Sequence, residues 1–164
     1  MKLPIHAVRA DFASPIGRLV LAAADGHLIG CWFDDQKDLP DLSALPCQPY
    51  EPVLQQAAAQ LQDYFEGRRR NFDVPLSIRS GTAFQQLVWQ ALNSIPYGGH
   101  CSYGELAQRV GRPAAVRAVG GAVGRNPLGI ILPCHRVLGA NGSLTGYTGG
   151  LHRKIALLQL EGVL

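Results

Sequence analysis

Along the first third of the chain, apolar residues come in short runs punctuated by turn residues. Ile5 to Phe12, Arg18 to Ala24 and His27 to Phe33 read as antiparallel strands, joined by Ser14-Pro15-Ile16-Gly17 and by Asp25-Gly26. Asp-Gly between two apolar runs is a strong hairpin signal, because both central residues must take positive φ. After a polar loop with Pro40, Pro46 and Pro49 the period changes. Val53, Leu54, Ala57, Ala58, Leu61 and Phe65 recur at helical spacing, which predicts a helix from about Pro52 to Glu66 with Gly67 as its cap. Arg68-Arg69-Arg70 reads as a solvated surface run, and Phe72 to Ile78 as a short strand returning to the sheet.

From Ser80 onward the pattern is helical. Thr82 and Gln85 form a capping-box pair, followed by Phe84, Leu87, Val88, Ala91 and Leu92 on one face, and the helix stops at Ile95-Pro96-Tyr97-Gly98-Gly99. Ser102 and Glu105 repeat the capping-box pattern, predicting a helix from about Tyr103 to Val110 that ends at Gly111. Pro113 suits the first position of a third helix, to about Val123, where its missing N–H is not needed. Two helices around a short glycine-containing turn predict a helix-turn-helix. The small residues of the third helix, Ala114, Ala115, Ala118, Gly120, Gly121 and Ala122, would let its backbone lie close to another surface, with Arg117 projecting from among them. Leu128 to Leu132 then leads into Pro133-Cys134-His135-Arg136-Val137, a glycine-rich loop runs from Gly139 to Gly150, and an amphipathic helix from about Leu151 to Glu161 closes the chain. The fold class is therefore α+β: an N-terminal α/β lobe over residues 1–79, then a mainly helical C-terminal domain over residues 80–164.

Composition narrows the class of protein. With 164 residues and 47% hydrophobic content the chain can bury a core. Its longest apolar runs fall far short of the roughly 20 residues that span a bilayer, and Met1-Lys2-Leu3-Pro4 lacks a signal-peptide apolar region, so the expectation is a cytoplasmic protein with no membrane partner. Cys31, Cys47, Cys101 and Cys134 form no C-x-x-C pair; reduced thiols and no metal are expected, with Cys31 a small buried hydrophobe. The net charge is +3, but residues 1–79 carry eight Lys or Arg against ten Asp or Glu, whereas residues 80–164 carry seven against two. A basic second half suits a polyanion.

The candidate chemistry lies at Cys134. A free thiol is only a few per cent thiolate at neutral pH, so a nucleophilic cysteine needs a base or a nearby cation. His135 is adjacent, although neighbouring side chains on an extended chain point apart and a bridging water would be required. Glu161 is one of only two acidic residues in the second half and would orient His135; the other, Glu105, reads as a helix cap. Nucleophile, base and orienter describe a thiol hydrolase as well as a thiol acceptor.

At these residues the sequence resembles the O6-alkylguanine-DNA alkyltransferases. Pro133-Cys134-His135-Arg136-Val137 is that family's active-site pentapeptide, preceded by Arg117-Ala118-Val119-Gly120-Gly121 and Asn126-Pro127 and followed by Tyr147-Thr148-Gly149-Gly150 and Glu161, in the family's order and spacing. The likeness is close over about residues 81–164 and looser in the first half, which matches as a ribonuclease H-like lobe. The resemblance implies DNA repair by direct reversal: an alkyl group passes irreversibly from O6-alkylguanine, with O4-alkylthymine as a second substrate, to Cys134 of a monomer acting on double-stranded DNA. It implies that His135 takes the thiol proton through a water, that Glu161 holds His135, and that Asn126 is a structural hinge. The target nucleotide would be flipped from the duplex, with Arg117 filling the gap and Ala118 allowing approach to the minor groove. Tyr103 would donate to N3, the Thr148 N–H would serve O6, and the carbonyls of Cys134 and Val137 would accept from the exocyclic amine, with Tyr147 also lining the pocket. Nothing resembles the zinc site of some members, so no cofactor or metal is expected. Gly129 stands where some members have a proline lining the alkyl side of the pocket. A thiol hydrolase and a DNA-binding sensor are the rival readings; sensors of this family lack the reactive cysteine.

Overall fold

The computed structural model describes residues 1–164, which divide into two compact units, Met1–Ser80 and Gly81–Leu164. In the first, β1 (Val8–Ser14), β2 (Gly17–Ala24) and β3 (His27–Phe33) form an antiparallel sheet in that order. The first strand begins three residues later than its apolar run suggests. Asp25 and Gly26 take φ of 52° and 74°, the doubly positive turn that the Asp-Gly pair predicts. All six residues from Leu19 to Ala24 are buried, because both faces of the sheet are covered. On one side Val20, Ala22, Ile29 and Trp32 pack with Leu42 and Leu45 of the following loop; α1 (Pro52–Phe65) packs on the strands as well.

Helix α1 ends at Gly67 as its sequence suggests: the Gly67 N–H bonds to Tyr64 O at 3.1 Å and the Arg68 N–H to Asp63 O at 2.8 Å, satisfying two terminal carbonyls. Arg68 is exposed and paired with Asp63 and Glu66, in keeping with a surface run. The expected strand at Phe72 to Ile78 is not formed. Asp73 N–H bonds instead to the Gln60 side chain of α1, Pro75 has no N–H to give, and a single parallel bridge at Leu28 and Leu76 is all the pairing that results.

The second unit contains α2 (Ala83–Leu92), β4 (Cys101–Ser102), α3 (Tyr103–Arg109), α4 (Val116–Gly124), β5 (Val137–Leu138) and α5 (Leu151–Leu160), with β4 and β5 paired in parallel. Thr82 and Gln85 make both bonds of a capping box. The buried face of α2 is Val88, Trp89 and Leu92 rather than one including Leu87, which is exposed. Trp89 turns the face by reaching α4, donating from its indole to Ala122 O at 2.8 Å. Ser102 caps α3 through one bond, to the Glu105 N–H at 3.0 Å; the reciprocal Glu105 bond is not made, since Ser102 belongs to a paired strand. Helices α3 and α4 pack on each other as a helix-turn-helix would. However, α4 starts at Val116, not Pro113: Ala115 N–H bonds to Arg112 O at 2.9 Å, placing Pro113 second in a tight turn, where its fixed φ is favoured.

Candidate active site

Two short connections carry the chemistry of this unit. Residues 126–133 descend from the end of α4 to Cys134, and Asn126 holds that descent at both ends. Its Nδ2 donates to Leu132 O at 2.9 Å and its Oδ1 accepts from the Leu128 N–H at 3.0 Å. Between them Ile130 has φ of 69°, enclosed by an Ile131 N–H to Gly129 O bond of 2.8 Å. A β-branched residue in that conformation stores about 1–3 kcal/mol. The Asn126 bracket and the burial of Ile130, 1% exposed, keep it there.

Cys134 opens a 3-10 turn, Cys134–Arg136, and is 8% exposed. Burial pushes its thiol above the ordinary value, while the side chain of Asn126, the charge of Lys154 and the side chain of Tyr147 pull it back. The resting sulfur is therefore a thiol, and it needs a base. No hydrogen bond joins it directly to His135, as expected of sequence neighbours. His135 is fully buried, with Nε2 2.7 Å from Glu161 Oε2 and Nδ1 without a partner in the protein. Because a carboxylate only accepts hydrogen bonds, Nε2 carries the hydrogen and donates it, and Nδ1 keeps its lone pair. Burial depresses the imidazole pKa; Glu161 opposes this, and Arg136 and Lys154 add to it. The imidazole is neutral and able to accept a proton.

Glu161 is the C-cap of α5, its side chain wholly buried. The helix ends there because Gly162, at φ of 79°, bonds to Gln159 O at 3.1 Å and lets Val163 bond to Leu158 O at 2.9 Å. Arg136 faces the same carboxylate through Nε to Oε1 at 2.7 Å and Nη2 to Oε2 at 3.1 Å, and its Nη1 donates to Ile95 O at 2.7 Å. The forked geometry fixes the orientation of the carboxylate.

The residues expected to line a substrate pocket come from α3, β5 and the 143–150 loop, with α5 behind them. Tyr103, the first residue of α3, is half-buried; burial raises its pKa, and the nearby Thr145 hydroxyl lowers it. Val137 is buried, and its carbonyl accepts from Lys154 Nζ at 2.7 Å. Tyr147 reaches the thiol, and Thr148 Oγ1 donates to Gly124 O at 2.7 Å. Arg117 and Ala118 stand exposed in the first turn of α4, with Arg117 in no ion pair.

Sequence reasoning passed over two residues that the structure puts at the centre. Arg136 appears in the sequence only as part of a motif. Lys154 is 1% exposed, with Nζ on Val137 O at 2.7 Å and Thr145 O at 3.1 Å and no carboxylate partner. Burial lowers its pKa, and negative charge on Cys134, when it forms, opposes this. One signal was legible: Lys154 lies three and four residues before Leu157 and Leu158, on the apolar stripe of α5.

A buried thiol followed along the chain by a neutral imidazole held by a carboxylate, on a unit bearing a helix-turn-helix with an exposed arginine, fits a thiol-based group-transfer protein of the nucleic-acid-binding kind. Comparison with known proteins gives the family. Residues 83–163 match the 6-O-methylguanine DNA methyltransferase DNA binding domain and residues 8–78 its ribonuclease-like domain. The chain is 50% identical over 157 residues to the methylated-DNA–protein-cysteine methyltransferase of Mycobacterium leprae, covering 96% of this chain and 92% of that one. It is 47% identical to that of Methanosarcina acetivorans, covering 93% and 97%. The solved structure of Mycobacterium tuberculosis OGT in complex with DNA superposes with a TM-score of 0.87 at 48% identity, over 93% of this chain and 91% of that chain. The chain belongs to the 6-O-methylguanine DNA methyltransferase family.

Proposed function

We propose that this protein repairs DNA by transferring an alkyl group from O6-alkylguanine to Cys134, acting once per chain. The observation that carries the reading is the His135 imidazole: neutral, its Nε2–H donated to Glu161, a carboxylate that Arg136 also grips, and its buried Nδ1 unpartnered, one residue along from the nucleophile. Such an imidazole serves as a general base through one bridging water. The thiol proton moves to Nδ1, sulfur bonds to the alkyl carbon, and the carbon–O6 bond breaks with its electron pair leaving on guanine.

Departure of guanine is eased by donors placed where charge develops. Tyr103 supplies one to N3 and the Thr148 N–H one to O6, while the carbonyls of Cys134 and Val137 select the exocyclic amine. Lys154 stabilises the sulfur as it gains charge and steadies the Val137 carbonyl. A base inside a duplex is out of reach of a buried thiol, so the nucleotide is flipped, with Arg117 in the gap and Ala118 allowing α4 into the minor groove. Asn126 is the hinge beneath the nucleophile. In this reading residues 1–79 form a companion lobe, residues 80–164 hold both DNA and the acceptor, and O4-alkylthymine is a second substrate. The protein works as a monomer in the cytoplasm; no helix is long and apolar enough to cross a membrane.

A thiol hydrolase with the same three residues would regenerate its thiol, since water attacks an acyl carbonyl. A thioether has none. Excess duplex containing one O6-methylguanine should therefore be repaired to a plateau of no more than one lesion per chain, with one methyl gained on the Cys134 peptide and no transfer by Cys134→Ser. Sustained turnover, or transfer by the serine variant, would overturn the reading.

A further inference from the structure

We propose that the Thr148 hydroxyl is a positioning group for alkyl transfer, latching the lesion-binding loop to the end of α4 so that the Thr148 N–H is held where O6 departs. The proposal rests on the reading that this N–H serves O6, and adds a role for the side chain.

The carbonyls at the end of α4 have no partners inside the helix, and each finds a different one. Ala122 O accepts from the Arg125 N–H at 3.1 Å and from the Trp89 indole at 2.8 Å. Val123 O accepts from the Asn126 N–H at 3.2 Å. Gly124 O accepts from Thr148 Oγ1 at 2.7 Å. The same helix end thus holds Asn126, which brackets the approach to the nucleophile, and Thr148, on the opposite connection.

Other bonds fix the loop elsewhere. Arg153 Nη1 donates to Gly149 O at 3.0 Å and Lys154 Nζ to Thr145 O at 3.1 Å, both from α5, and the Gly139 N–H bonds to Ser143 O at 2.9 Å. The Gly150 N–H closes a turn onto Tyr147 O at 2.8 Å, Tyr147 reaches the Cys134 thiol and Thr145 the Tyr103 hydroxyl, so the loop is held to α3, α5 and the nucleophile, and the Thr148 hydroxyl adds its bond to the end of α4. The Thr148 N–H makes no hydrogen bond within the chain, so it is a donor awaiting an acceptor. A single torsion separates Oγ1 from that amide, and a β-branched side chain is stiff about it. Anchoring the hydroxyl therefore aims the N–H. Because α4 also presents Arg117 and Ala118, the latch keeps the lesion-side donor in register with the helix facing the duplex.

The test compares Thr148→Val, which keeps the shape and loses the donor, with Thr148→Ser, which keeps it. Single-turnover inactivation is measured with free O6-benzylguanine and with S6-benzyl-6-thioguanine, whose sulfur is a weak acceptor. Each variant rate is taken relative to wild type on the same substrate, with thermal unfolding recorded in parallel. The valine variant should lose at least about tenfold on the oxygen substrate, the serine variant should stay within about twofold of wild type, and the valine deficit should shrink to about twofold with sulfur. A valine variant as fast as wild type on oxygen would overturn the latch while leaving the O6 donor reading intact. Equal deficits on oxygen and sulfur would overturn the N–H route itself, and a serine variant as slow as valine would show that the hydroxyl is not the operative group.

Discussion

Replacing Glu161 by glutamine tests the centre of the site, because three donors converge on its two oxygens: His135 Nε2 at 2.7 Å, Arg136 Nε at 2.7 Å and Arg136 Nη2 at 3.1 Å. An amide has one acceptor oxygen and one donor nitrogen. If the oxygen stays with Arg136 Nε, the NH2 faces His135 and Arg136 Nη2. The imidazole must then accept at Nε2 and move its proton to Nδ1, which ends its use as a base toward the thiol. A wrong tautomer in an analogous triad costs about 10⁴-fold, so a rate loss of about 10³–10⁴ is expected in single-turnover assays at neutral pH. Stability falls too, because the nearly buried Arg136 loses its counter-charge. Removing one partner of a buried pair costs about 3–5 kcal/mol, and at about 2–4 °C per kcal/mol for a chain of this size the Tm should drop by about 6–20 °C. Thermal unfolding and alkyl transfer below the transition read the two effects separately. A folded Glu161→Gln protein reacting within tenfold of wild type would refute the tautomer argument.

Lys154→Met should slow transfer at least tenfold at pH 7 while leaving Tm equal or higher, because a buried cation without a carboxylate partner disfavours folding even as it favours a thiolate; an unchanged rate would remove Lys154 from the site. Arg117→Ala should lose at least tenfold on methylated duplex but less than about twofold on the free base, since only the duplex must be opened at a cost of a few kcal/mol; equal losses would rule out the gap-filling role. The depressed pKa of His135 places the acid limb of the rate below pH 6.5. The stability contributed by its neutral form is present above that value and is lost as pH falls through the lowered folded pKa. An acid limb centred above pH 6.5 in a rate profile would show the imidazole to be easier to charge than its burial implies.

What the sequence made legible were the features determined by local chemistry. The β2–β3 turn needs two positive φ angles and Asp25-Gly26 supplies them; Thr82 and Gln85 close a capping box over residues that touch; the stripe of α1 faces a sheet. Features determined from a distance were not. Nothing local to Phe72–Ile78 says that Gln60 will take the Asp73 N–H, and nothing near Pro113 chooses between a turn and the first position of a helix. At the site, the sequence suggested Cys134, His135 and Glu161 as a group because their side chains have complementary chemistry; the fold pairs His135 with Glu161 and makes no direct bond from either to the Cys134 thiol. Arg136 and Lys154 escaped notice because in a sequence a buried cation looks like a solvated one. Their carbonyl partners, Ile95, Val137 and Thr145, are backbone groups that every residue carries.

The electrostatics of the site set this thiol apart from that of a cysteine hydrolase, in which thiolate and imidazolium form a ready ion pair. Here burial acts on both partners in the direction of neutrality, raising the thiol and lowering the imidazole. In the proposed mechanism the pair reacts when an alkyl carbon is presented with its leaving group already met by donors, which would spare a protein that acts once from stray electrophiles. Labelling with iodoacetamide, which needs thiolate and no leaving-group assistance, exposes the difference. Cys47 lies exposed in a loop, while Cys134 is 8% exposed with its thiol pushed up. Thiolate fraction falls about tenfold for each unit that a pKa rises above the ambient pH. At pH 7.5 the exposed Cys47 peptide should therefore be modified faster than the buried Cys134 peptide, whereas O6-benzylguanine should add mass to the Cys134 peptide and leave Cys47 untouched. Iodoacetamide labelling of Cys134 as fast as that of Cys47 would mean that the thiolate exists before substrate arrives, and the general-base role of His135 would fall with it.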